Sequence, residues 1–219
     1  VALTKFNYNS FDLTTAASKG IAFNSSANGF ETAAEGSMTL IKTLTASGSS
    51  TLSFVDGSSD VVLDGTYNAY IFKIINAHPS VNGAEFRMQG STDSGSNYNT
   101  TMTSNATEIW NAEDGSSYVI QYSTYFDKAQ STDFFALSSN PGNEDHESFS
   151  GTFTIFNPAN TTFVKHWVSE GNTHNHNDAT LQTINGGYFN TASAIDAFQF
   201  KMSSGTFDGT IKLYGIKDS

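Results

Sequence analysis

Apolar and polar residues alternate along most of the chain with a period of two rather than 3.6. Tyr70, Phe72 and Ile74 fall on one face of an extended run, and Ile71, Lys73 and Ile75 on the other. Phe86 and Met88 alternate with Glu85, Arg87 and Gln89, and Phe149, Phe153 and Ile155 with Ser150, Thr152 and Thr154. Phe163, Lys165 and Trp167 oppose Val164, His166 and Val168. Phe198, Phe200 and Met202 alternate with Gln199 and Lys201, and Ile211 and Leu213 with Lys212 and Tyr214. Met38 and Leu40, then Leu52 and Phe54, alternate with Thr and Ser. Successive strand side chains point to opposite faces, so this rhythm predicts half-buried strands rich in the Phe, Tyr, Ile and Thr that strands favour.

Between these runs stand Asp56-Gly57, Asp64-Gly65, Asn82-Gly83, Ser94-Gly95, Asp114-Gly115, Pro141-Gly142, Asn185-Gly186 and Asp208-Gly209. Such pairs tolerate positive φ and read as tight turns. About eight to ten short strands at this spacing predict an all-β fold, a jelly-roll-like antiparallel sandwich. No blade repeat favours a propeller. Residues 108–112 and 191–197 are each expected to form a short helical turn. The polar stretches 92–99 and 138–147 read as long loops, which at the ends of a sandwich often carry binding.

Residues 1–35 differ in texture. They are rich in Ser, Ala, Thr and Asn, with Leu3, Phe6, Tyr8, Phe11 and Leu13 as scattered apolar points. Such a segment cannot bury a core of its own. It reads as an extended N-terminal arm that docks on a partner or a sister subunit, followed by the sandwich domain at 36–219. The first residues lack a charged stretch leading into an apolar run; a start missing only its initiator methionine is expected, and a leader already removed gives the same start.

Composition narrows the function classes. The chain has 219 residues and no cysteine, which excludes disulfides, thiolate zinc sites and a cysteine nucleophile and suits manufacture in a reducing cytosol. Acids outnumber bases 21 to 10, a formal charge of −11, so phosphate-based binding to nucleic acid is not expected. No run of about 20 apolar residues is present, so no membrane insertion is expected.

Catalytic signatures are missing. There is no Gly-x-Ser-x-Gly elbow and no Walker or dinucleotide glycine loop. Glu144, Asp145 and Glu147 share a loop but read as solvated turn formers rather than a glycosidase pair. His174 and His176 stand two apart, a spacing that puts both on one strand face where they could share a metal ion, although a polar loop tip is the simpler reading. Oxygen-rich Asp56, Asp60 and Asp64 mark a turn that could hold a structural calcium, with Asp93 in another turn; no other cofactor is expected. Tyr98, Trp110, Tyr118, Tyr122 and Tyr125 lie in less regular polar stretches. They are the candidate contacts for a carbohydrate or a partner, with capping of the sandwich ends as the alternative.

Several stretches carry a family likeness: 2–10 (ALTKFNYNS), 19–30 (KGIAFNSSANGF), 53–67 (SFVDGSSDVVLDGTY), 89–95 (QGSTDSG), 156–166 (FNPANTTFVKH), 186–201 (GGYFNTASAIDAFQFK) and 209–216 (GTIKLYGI). Over nearly its whole length the chain resembles virion structural proteins of marine tailed phages, those of picocyanobacteria and abundant marine heterotrophs. The resemblance implies a β-sandwich protein of the particle surface, in tails, tail fibres or capsid decorations. It implies no catalytic or ligand residues. The expected protein is therefore non-enzymatic and made in the host cytoplasm. It joins other virion proteins and copies of itself, as a trimer in the fibre and decoration geometries, and it contacts host glycan or reinforces the shell. A lectin-like carbohydrate-binding module is the alternative, and a polysaccharide depolymerase a remoter one.

Overall fold

The computed structural model describes residues 20–23, 26, 30–32 and 36–217, with the backbone alone at 31 and 32. Leu3, Phe6, Tyr8, Phe11 and Leu13 lie outside the described residues. Within the expected arm, β1 (Ile21–Phe23) and β2 (Phe30–Thr32) form a small antiparallel hairpin, and the rings of Phe23 and Phe30 stack at 5.0 Å.

The rest is an antiparallel sandwich, and among the described residues there is no helix, hence none able to cross a membrane. β3 (Met38–Ser49), β5 (Ala69–Pro79), β7 (Met102–Ala112), β8 (Tyr118–Tyr122), β9 (Lys128–Ser131), β11 (Phe149–Phe156), β12 (Lys165–Asn175), β13 (Ala179–Phe189) and β15 (Phe207–Ile216) build a nine-stranded sheet. Its order is β3-β15-β5-β11-β12-β13-β7-β8, and β9 continues beside β7. β4 (Thr51–Val55), β6 (Phe86–Ser91), β10 (Phe135–Ala136) and β14 (Ala197–Met202) form a four-stranded sheet in the order β10-β6-β14-β4. From β3 to β7 the chain changes sheet at every step, the jelly-roll-like behaviour that the turn spacing predicted.

The core lies where the two sheets overlap. Phe72 sits at its centre, with Phe54, Phe153, Phe198 and Phe200 all at ring distances of 5.1–5.8 Å. Aromatic residues at alternate positions on both sheets interlock edge-to-face and tilted, as their quadrupoles favour. Following one cross-strand row along the inner face of the large sheet gives Leu213, Phe72, Phe153, Ser169, Asn185 and Ala106. A second gives Ile211, Ile74, Gly151, Gly171, Thr183, Glu108 and Gln121. Both rows pass from apolar residues on β15 and β5 to polar ones on β13. Nine strands cannot be covered by four, and the inner face turns polar where the small sheet stops.

Local expectations are corrected at several points, among them the Asp208-Gly209 turn, which lies inside β15 at a register shift. Residues 108–112 belong to β7, and the expected helical turn at 191–197 is an irregular link at 191–196 that leads into β14 at Ala197. Asn185-Gly186 is no turn but lies inside β13; the neighbouring Gly187 serves close approach, since a Cβ there would stand 2.6 Å from the Trp167 ring. Phe163 is 69% exposed because β12 begins only at Lys165, and Asn160 Oδ1 accepts hydrogen bonds from the amides of Thr162 and Phe163 to form a loop. Lys165 itself is fully buried; its Nζ donates to the carbonyls of Phe163 and Thr191, and burial lowers its pKa. Met38 and Leu40 face outward: the β3–β15 register shifts between Leu213 and Tyr214, so Ile41 packs against the core and the inward positions after it are Leu44 and Ala46. The described residues also hold fifteen strands, more than the sequence rhythm suggested, because short ones such as β10 carry no alternation of their own.

Candidate functional site: an aromatic cleft beside the sheet overhang

Where the inner face of the large sheet runs past the small one, two loops fold over it and leave a cleft of about 380 Å³. β7 and β8 supply its floor. Glu108 pairs with Gln121 and Trp110 with Val119 across the two strands, so all four share one face. Tyr122, Ser123, Thr124, Tyr125 and Phe126 form one wall, and Ser139 and Asn140 another.

The walls are held by polar groups of the inner face. Thr183 Oγ1 donates to the carbonyl of Leu137 at 2.8 Å, and Asn175 Nδ2 to that of Ser139 at 3.4 Å. On the other side the Ser123 amide donates to the carbonyl of Ala106, and Phe126 plugs into the core at 7% exposure. The Tyr122 hydroxyl donates to Asp127 at 2.7 Å, which fixes the ring and raises its pKa, because the neighbouring carboxylate disfavours the phenolate. Tyr125 stacks edge-on against Phe126 at 4.9 Å and stands 74% exposed.

Glu108 is 7% exposed and accepts a hydrogen bond from Gln121 Nε2 at 3.2 Å. A carboxylate accepts at about four lone-pair sites, so capacity remains on the cleft side. The indole Nε1 of Trp110 is buried without a hydrogen-bond partner, as are Trp167 Nε1, Thr173 Oγ1 and His174 Nδ1. An aromatic floor with a carboxylate and amides along its edge can stack against the apolar face of a sugar ring and bond its hydroxyls.

Compared with known proteins, the chain matches no family model, no curated protein and no solved structure. The residues themselves therefore carry the functional reading. Of the five aromatic contacts expected from sequence, Trp110, Tyr122 and Tyr125 line this cleft. Tyr98 joins Tyr125 in a neighbouring cleft of about 470 Å³, and Tyr118 stands exposed at the start of β8 away from both linings. Glu108, Gln121 and Asn140 were not singled out. Once β7 is read as a strand, the period of two puts Glu108 and Trp110 on one face.

The aspartates take separate partners. Asp56 accepts from the Leu63 amide at 2.7 Å, and Asp64 from the amide and hydroxyl of Thr66. The Asp64 hydrogen bonds lower its pKa. Asp60 is almost fully exposed, 3.9 Å from Lys42. Among the described residues no three carboxylate or imidazole groups converge as metal ligands. His174 and His176 do not act as a pair, because β12 ends at Asn175. His174 Nε2 meets Glu113 at 2.8 Å, whereas His176 Nδ1 meets the carbonyl of Asn140 at 3.1 Å. In the loop at 138–147, Glu147 is buried and accepts from the Glu144 amide, while Glu144 and Asp145 are exposed.

Proposed function

We propose that the chain is a non-enzymatic surface protein of a phage virion, of tail fibre, tail-associated or capsid decoration type. It contacts host-surface glycan through the cleft at Trp110, Tyr122 and Tyr125. The observation that carries the glycan contact is the cleft itself: aromatic rings on two sides, with Glu108 and Gln121 between them. A single carboxylate lines it, whereas hydrolysis of a glycosidic bond ordinarily uses two, which supports a holding rather than a cutting role. The virion setting rests on the sequence likeness and on the cysteine-free composition, which suits synthesis in the host cytoplasm. In this reading residues 1–35 attach the protein to other virion proteins or to a sister subunit. Exposed Phe23 and Phe30 on the hairpin support that role. Homo-oligomerisation, as a trimer, belongs to the same proposal.

A glycan array of bacterial surface polysaccharides tests the cleft. Trp110→Ala should weaken binding by about tenfold or more, the equivalent of about 1.4 kcal/mol. Trp110→Phe, which keeps a ring, should lose less. Binding unaffected by Trp110→Ala would remove the cleft from the account. A parallel array with a chelator asks whether the aspartate-rich turn holds calcium that the binding needs.

A free-standing lectin-like module is the second reading, favoured by the same cleft. Particle assembly separates the two: deletion of residues 1–35 should abolish incorporation while leaving the sandwich folded. Unchanged incorporation would refute the arm.

A further inference from the structure

The chain is strongly acidic, yet three of its ten basic residues, Arg87, Lys128 and Lys201, line one cleft. This is the cleft of about 470 Å³ that adjoins the aromatic one. Arg87 and Lys201 sit directly opposite each other on β6 and β14, on the outer face of the small sheet. Like charges at facing positions destabilise a sheet, so the arrangement is not one that stability alone selects. Glu85 answers one of the two charges: Arg87 Nε donates to its Oε2 at 2.9 Å. Lys201 Nζ lies 4.2 Å from the centre of the Phe134 ring, which holds the ammonium in place without neutralising it. Among the described residues neither Lys128 nor Lys201 has a carboxylate within ion-pair distance. Asp133 is the one acid in the lining.

The two clefts flank a single ridge, since Tyr125 and Phe126 line both. We propose that the Arg87–Lys128–Lys201 cleft receives an anionic group, a carboxylate or a sulfate ester, on a saccharide whose neutral ring stacks in the Trp110 cleft. This rests on the glycan reading above and names the class of glycan. The formal charge of −11 opposes binding of a long polyanion, so the ligand that fits carries an isolated anionic group beside a neutral sugar. Arg87, whose Nε and Nη2 both donate to Glu85, has its remaining guanidinium N–H groups for such a group, and Lys128 and Lys201 offer point charges.

The test uses bacterial surface polysaccharides printed in native, carboxyl-reduced and desulfated forms and probed with the full chain. Native material should bind about tenfold or more tightly than one of its two neutralised forms, and the form that fails identifies the anion as carboxylate or sulfate. The preference should shrink as salt rises from about 0.05 to about 0.3 M. The double variant Lys128→Gln/Lys201→Gln should lose the preference yet keep its binding to the neutralised form, and Lys128→Arg/Lys201→Arg should retain both. Equal binding of native and neutralised forms, or a preference that survives the glutamine variant, overturns the anionic inference and leaves the glycan reading standing. Failure of the unsubstituted protein to bind any form overturns both.

Discussion

Asp93 organises the loop at 92–99. Its carboxylate accepts from the Ser91 hydroxyl at 2.7 Å, from the Asn97 amide at 2.8 Å and from Asn97 Nδ2 at 2.7 Å. Ser94 and Gly95 follow in the left-handed region, with φ of 57° and 78°, a conformation Gly adopts without steric penalty. These hydrogen bonds favour the ionised carboxylate and hold the Asp93 pKa below its ordinary value of 3.8. A group whose pKa is depressed by folding stabilises the fold above its unfolded value and loses that contribution as pH falls through the lowered one. Stability should therefore decline as pH drops below 3.8, and Asp93→Asn should flatten that decline. Acid titrations of unfolding for the two proteins measure it; identical profiles would show that Asp93 is not a contributor. Nothing in the residue order announces this network, because Asp, Ser and Asn are common in any turn. Trp110 and Tyr122, which line the cleft, stand out more readily as large aromatics in a polar setting.

At the scale of elements, legibility followed burial. β5 and β14 have one face in the aromatic core, so their alternation matches their burial. β8 behaves otherwise. Its five residues, Tyr118–Tyr122, are all exposed, and among the described residues β7 is its only neighbour strand. An open edge carrying Tyr118 and Ile120, 84% and 75% exposed, invites pairing with another chain. In the oligomeric reading this edge is an available contact. Ile120→Lys places a charge on it and should reduce self-association by about tenfold or more in sedimentation equilibrium, with the circular-dichroism spectrum unchanged. Undiminished association would shift the contact elsewhere. The helical turn expected at 108–112 failed for a related reason: β7 has polar residues on both faces, so its alternation is weak where the small sheet no longer covers it.

For the whole molecule, the mismatch between nine and four strands creates the site. The overlap is filled by phenylalanines, and the overhang is roofed by loops pinned to Thr183, Asn175 and Ala106. The all-β sandwich was readable from periodicity and turns. The size difference between the sheets was not, because pairing across distant parts of the chain leaves no local trace. The cleft therefore emerged only once β7, β8 and the loops at 123–127 and 137–141 stood together.

Tryptophan emission during titration with a panel of bacterial surface polysaccharides tests the glycan cleft most directly. The chain has two tryptophans, and Trp167 is sealed in the core at 1% exposure, so Trp110 is the reporter. At least one polysaccharide should give a saturable change in emission that disappears in Trp110→Phe. A panel that leaves the emission unchanged, or a change that persists without Trp110, would contradict the account.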